Sequence, residues 1–181
     1  GMHVETFSKT TNAAVQLISS KRIEELFEEG IGILAYFGHS SANVLEYNLD
    51  DPQNYNNPTK YPLFIVSGCT AGNNFVYDTM RMVSGRSTIS ENFVLSKQRG
   101  SIGFMASTHY GIPFYLDEYN TTLYKMMGKD YYGAPIGLQM KKTIENLDGN
   151  NPELYFYNRA DLEEMNLHGD PALKAQALPK P

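Results

Sequence analysis

The sequence predicts an α/β fold with a mostly parallel central sheet, and three observations carry that prediction. Three short runs, "IGILAYF", "LFIVS" and "SIGFMAS", are apolar on both parities and are bounded by Gly, Pro or Ser, the pattern of strands buried on both faces. Segments of helical spacing lie before, between and after them. Strands alternating with helices favour a parallel sheet covered on both sides.

Taken in order, "SKRIEELFEE" (20–29) sets Ile23, Leu26 and Phe27 on one face among charges, and Gly30 follows as a left-handed stop. The first strand run comes next and ends at Gly38. The acidic, Asn-rich segment "NLDDPQNYNNPTKYP" has neither period and reads as a connection, longer than most in compact domains and of the kind that often carries function. After the second strand run, "TISENFVLSKQ" opens on a Thr88 to Glu91 capping box and carries Ile89, Phe93 and Val94 at helical spacing, with Gly100 ending the turn. Beyond the third run, "PFYLDEYNTTLYKMM" and "APIGLQMKKTIENL" each place Pro near the start of a helical pattern. The tail "QALPKP" (176–181) reads as an exposed terminus.

A chain of 181 residues with 41% hydrophobic and 19% charged residues is globular rather than disordered. At that length it can bury close to ~70% of its unfolded surface without a disulfide. The single cysteine leaves no partner for an internal disulfide or a CxxC metal site. A net charge of −5 with no basic stripe argues against nucleic acid as a partner. The apolar runs are far shorter than the ~20 residues of a membrane helix, so no membrane-spanning segment is expected.

Two strand ends attract chemical interest. His39 is the second residue after "LAYF" and Cys69 the second after "FIVS", and ligands of parallel sheets bind beyond the carboxyl ends of the strands. If those strands are neighbours, an imidazole and a thiol arrive at one rim, where an imidazolium would stabilise a thiolate. The bland alternative is a small buried cysteine and a histidine that merely bonds its own loop. Ser40 and Ser41 lack a G-x-S-x-G elbow, which argues against a serine hydrolase. Asp50 and Asp51 offer hard oxygen ligands for Ca2+, without EF-hand spacing; a solvated turn is the competing reading.

The ordered series "YFGHSS", "YPLFIVSGCTAGNNF", "SENFVLSKQRGSIGFMAST", "YGAPIGLQMKKTI" and "HGDPALK" resembles the catalytic domain of the gingipain family of cysteine peptidases, in the caspase-like clan. The resemblance implies a caspase-like three-layer α/β/α sandwich over 31–175, with 1–30 as a lead-in to the same domain. It implies a cysteine endopeptidase with His39 as general base and Cys69 as nucleophile, a thioester intermediate, and an oxyanion hole of amides among Gly38, Ser40, Gly68 and Cys69. It also implies that Ser107, Thr108, His109 and Tyr110 wall the substrate pocket, with His168 and Asp170 structural. Further implications are a polypeptide substrate, no required cofactor, an optional structural Ca2+, and an extracellular or cell-surface location.

Oligomeric state is left open. So is the residue preferred before the scissile bond, for which Asp117 and Glu118 are candidate pocket acids. The chain departs from the family in two places, with His39-Ser40 where His-Gly is usual and Gly68-Cys69 where Ala-Cys is common. Family domains are longer at the amino end, so an upstream acid that would orient His39 is not expected in this chain. A catalytically silent module that binds polypeptide or assembles a surface complex is the alternative reading, and a processing peptidase or transpeptidase is a variant of the first.

Overall fold

The computed structural model describes residues 3–9, 20–47, 49–75, 87–148 and 155–175; the tail 176–181 and Asn48 lie outside them. Four strands form one sheet in the order β1 (Ile33–Phe37), β2 (Leu63–Ser67), β3 (Gly103–Ser107) and β4 (Met165–Gly169). The first three are parallel, and β4 runs antiparallel to β3 with Phe104 opposite His168. The helices are α1 (Ser20–Glu29), α2 (Ile89–Leu95), α3 (Pro113–Lys125), α4 (Ile136–Leu147) and α5 (Tyr155–Glu164). The result is a mixed α/β sandwich of three layers.

Local signals account for most of these elements. Gly30 stops α1 with φ +97 and its N–H on the Leu26 carbonyl at 3.0 Å. The Thr88–Glu91 capping box is formed in both directions at the start of α2. Pro113 begins α3, as its fixed φ and missing N–H favour. The first amides of α4 are met from a distance: Ile136 and Gly137 donate to the carbonyls of Leu173 and Pro171, at 2.8 and 2.9 Å. The turn that supplies these carbonyls is tied by Asp170, whose Oδ1 accepts from Ala172 N–H at 2.8 Å.

Each face of the sheet has its own core. On one, Phe64, Val66 and Phe104 pack against Ile23 and Phe27 of α1, Ile89 and Phe93 of α2, and Tyr55. On the other, Leu63, Ile65 and Met105 pack against Leu116, Tyr119 and Leu123 of α3 and Met140 of α4. β2 and β3 are buried at every position.

β1 departs from the reading of a strand buried on both faces. Tyr36 is buried, but Ala35 is exposed and Phe37 is 54% exposed. The reason is its place at the edge of the described sheet: Ile33, at its start, packs against the cluster that α3 and α4 form over β2 and β3, and Ala35 and Phe37 further along are left exposed. Two elements had no clear signal, α5 and β4, because the helix passes into the strand at Glu164–Met165 with no intervening turn residue.

The long Asn-rich connection is packed rather than open. Leu49, Pro52, Tyr55 and Asn57 are buried, and the Tyr55 ring stacks on Phe27 with centroids 3.9 Å apart. The Asp51 carboxylate caps the short turn Pro52–Asn54 by accepting from Gln53 N–H at 2.8 Å.

Candidate active site

β1 and β2 are parallel neighbours, and the register sets Phe37 opposite Ser67. His39 and Cys69, each two residues further on, therefore stand level at the carboxyl rim. The two loops are locked together there. Gly38 N–H donates to the Ser67 carbonyl at 3.1 Å, and the Ser40 hydroxyl donates to the Cys69 carbonyl at 2.8 Å. His39 is exposed and Cys69 is half-buried, so a ligand can reach both.

The two departures from the family pattern fit each other sterically. A Cβ on residue 68 would collide with Ser40 Oγ and the Gly38 carbonyl oxygen. The Ser40 side chain thus occupies the space that an alanine before the cysteine would need, and the glycine at 68 is its counterpart.

The loop after β3 completes the rim. Thr70, with φ +53, donates its N–H to the His109 carbonyl at 2.7 Å, and Gly72 N–H donates to the Ser107 carbonyl at 2.9 Å. Cys69 Sγ lies 4.0 Å from the Gly111 carbonyl oxygen. A thiol held in a turn strapped to an adjacent strand end has little freedom to swing away.

Of the pocket candidates, Tyr110 is 69% exposed and stands beside the His109 ring. His109 Nδ1 is 3.9 Å from Glu164 Oε1. Ser107 is buried, its hydroxyl 3.1 Å from the His109 carbonyl and 3.3 Å from Glu164 Oε2. Thr108 donates its N–H to the Glu164 carbonyl at 2.9 Å. Ser107 is therefore engaged in shaping the loop, while the exposed side chains of His109 and Tyr110 face outward.

Among the proposed oxyanion donors, the Gly38 N–H is already committed to Ser67, and it is not free for substrate. That leaves the Ser40, Gly68 and Cys69 amides of the set. No group of three or more His, Cys, Asp or Glu side chains gathers as a metal site among the described residues.

Sequence reasoning missed two acids on α5 that hold this loop. Glu164 bonds Ser107, and Asp161 accepts the Ile112 N–H on Oδ1 at 3.1 Å. Both lie some fifty positions from their partners in the chain, on a helix with no strong periodic signal, so only the fold reveals them. Asp161 is 3% exposed and its Oδ2 has no partner.

Burial pushes the Asp161 carboxyl from its ordinary 3.8 up to about 6, with a further push from Glu164 and an opposing pull from the Ile112 N–H. The folded protein then holds a proton over a range in which the unfolded chain has lost it, so stability falls as pH rises from about 4 through about 6. Asp161→Asn removes that titration and keeps an oxygen for Ile112. It is expected to be more stable than wild type at pH 7, by up to about 2–3 kcal/mol, and close to it at pH 4. Urea midpoints at the two pH values check this; identical pH dependence in both proteins would show that Asp161 is not the titrating group.

Comparison with known proteins follows the geometry. The fold superimposes on the crystal structure of the Arg-specific cysteine proteinase gingipain R with a TM-score of 0.68 at 16% identity, covering 87% of this chain and 36% of that one. For the complex of Porphyromonas gingivalis RgpB pro- and mature domains, the TM-score is 0.69 at 17% identity, covering 87% and 37%. A structure described simply as that of a protease gives 0.65 at 15% identity, covering 83% and 36%. At such identities the likeness is one of fold, and the chain spans 36–37% of the length of these structures. No curated protein sequence matches it. The signature of peptidase family C25 matches residues 2–176, and the chain belongs to that family, the gingipain family of cysteine peptidases with a caspase-like fold.

Proposed function

We propose that this chain carries the nucleophile and base of a cysteine endopeptidase. The supporting observation is the β1–β2 register, which levels the two post-strand residues His39 and Cys69 at one rim. In this reading the Cys69 thiolate attacks the carbonyl carbon of a polypeptide, forming a C–S bond and an oxyanion met by the Ser40 and Cys69 amides. The C–N bond then breaks as His39 delivers its proton to the leaving amine. Water, deprotonated by His39, hydrolyses the thioester and frees the thiol.

Membership in the family supports a polypeptide substrate and a place at the cell surface or outside the cell. Among the described residues no helix is long and apolar enough to cross a membrane. The Asp51 carboxylate is engaged on the Gln53 N–H, which supports the turn reading of Asp50 and Asp51 rather than a Ca2+ site.

The test is the pH-rate profile for alkylation of Cys69 by iodoacetamide, read by mass spectrometry. Labelling is expected to persist well below the ~8.5 of a free thiol and to lose that acid limb in His39→Ala. An ordinary thiol profile in both proteins would sink the dyad. Cys69→Ala is expected to abolish peptide cleavage; retained cleavage would exclude Cys69 as nucleophile. The alternative of a silent, polypeptide-binding module predicts peptide binding that survives replacement of both residues, with no turnover.

A further inference from the structure

We propose that Glu46 is the positioning residue for His39, a role the sequence had left without a candidate; the inference rests on the His39/Cys69 reading above. The loop that carries His39 folds back on itself. Ser40 pairs antiparallel with Leu45, and Ser41 N–H donates to the Val44 carbonyl at 2.9 Å. Carried one step beyond this isolated bridge, the same register sets His39 across from Glu46. Residues directly opposite in an antiparallel pair put their Cβ atoms ~4.5–5.5 Å apart on one face.

Tyr36 clamps this rung from β1. Its hydroxyl donates to the His39 carbonyl at 2.6 Å and accepts the Glu46 N–H at 3.2 Å. The Glu46 carboxylate is held by Lys9 Nζ at 3.1 Å. Its pKa is lowered, chiefly by the hydrogen bond from Lys9, with smaller contributions from the His39 charge and the His39 backbone N–H.

A carboxylate opposite an imidazole favours the imidazolium, and through it the thiolate beyond. Glu46 would thereby complete the order of nucleophile, base and orienting acid from within the hairpin itself. Around His39 the structure sets these titratable groups, among the described residues: Glu46 across the hairpin, Lys9 bonded to it, Tyr36 on β1, and Cys69 on the neighbouring loop.

The experiment compares iodoacetamide labelling of Cys69 from pH 5 to 9 in wild type, Glu46→Gln, Lys9→Met and His39→Ala. Glu46→Gln is expected to slow labelling at pH 6 on the order of tenfold, the effect of about one pK unit, and to match wild type at pH 9. Equal rates at pH 9 show that the thiol is equally accessible, so the change lies in ionisation. Lys9→Met keeps the carboxylate and is expected to keep the acid limb.

If His39→Ala loses the acid limb and Glu46→Gln keeps it, the dyad stands and the role of Glu46 is overturned. If Lys9→Met slows labelling as much as Glu46→Gln, the effect belongs to the strap from Lys9 and the inference fails. If neither His39→Ala nor Glu46→Gln changes the profile, the dyad fails and the role of Glu46 fails with it.

Discussion

Gly68→Ala is expected to destabilise the protein by about 2–3 kcal/mol, the upper range for forcing extra volume into a packed site, and to blunt the low-pH reactivity of Cys69. The new Cβ has two neighbours to displace, the Ser40 hydroxyl and the Gly38 backbone carbonyl. Ser40 can move only by giving up its bond to the Cys69 carbonyl, and Gly38 is fixed by its N–H on Ser67. Both routes of relief disturb the residues next to His39 and Cys69.

The companion variant makes the argument specific. Ser40→Gly in the Gly68→Ala background removes one of the two obstacles and is expected to recover on the order of 1 kcal/mol, a coupling typical of residues in direct contact. Ser40→Gly alone lacks that benefit, since it deletes a hydrogen bond and adds backbone freedom. Urea unfolding of the four proteins in the cycle decides the matter. Strictly additive effects would mean that the two departures from the family pattern are independent, and a Gly68→Ala protein as stable as wild type would mean that the loops part easily.

Asn57→Ala is expected to cost about 3–5 kcal/mol, because it leaves the buried Gly100 N–H and carbonyl without a partner at ~1–3 kcal/mol each, and the part-buried Lys60 carbonyl with them. Asn57 is fully buried. Its Nδ2 donates to the carbonyls of Lys60 and Gly100, each at 2.9 Å, and its Oδ1 accepts the Gly100 N–H at 3.1 Å. It thus ties the connection between β1 and β2 to the turn between α2 and β3.

That turn cannot compensate readily. Gly100 has φ +86, and its Cα faces the Phe93 carbonyl so closely that any Cβ would strike it. For a chain of this size the loss corresponds to a fall in Tm of about 10 °C. A fall of less than 2 °C would show that water replaces the amide without penalty. Cys69 labelling in folded Asn57→Ala should be unchanged, since none of its bonds reaches the rim.

The Asn57 network also corrects how the Asn-rich segment reads in sequence. Its length and polarity suggest a functional loop, whereas its buried Tyr55, Leu49 and Asn57 make it part of one face of the core. The misleading signal has a physical origin: an asparagine that satisfies buried carbonyls looks, in composition, like one that faces water.

By itself the sequence determined what depends on neighbours within a few positions. Helical spacing around Phe27, the Thr88–Glu91 box, Pro113, and the apolar runs at β2 and β3 all state their conformations locally, and each is found where the pattern places it. The level placement of His39 and Cys69 was legible only as a condition, that their strands pair, since each residue follows its own strand end at the same distance.

Tertiary structure alone decided the rest. Strand order and register met that condition; the edge position of β1 exposed Phe37; and the antiparallel return of β4 carried Glu164 and Asp161 to a loop some fifty residues earlier. Glu46 sits only seven positions from His39, yet it becomes a neighbour through the Ser40–Leu45 pairing, whose turn is held by the Ser41 hydroxyl accepting from the Asn43 and Val44 N–H groups. Contacts of this kind arise when separate elements are brought together to bury the two faces of the sheet. A periodicity read along the chain records which face is buried, and not which distant residue will lie against it.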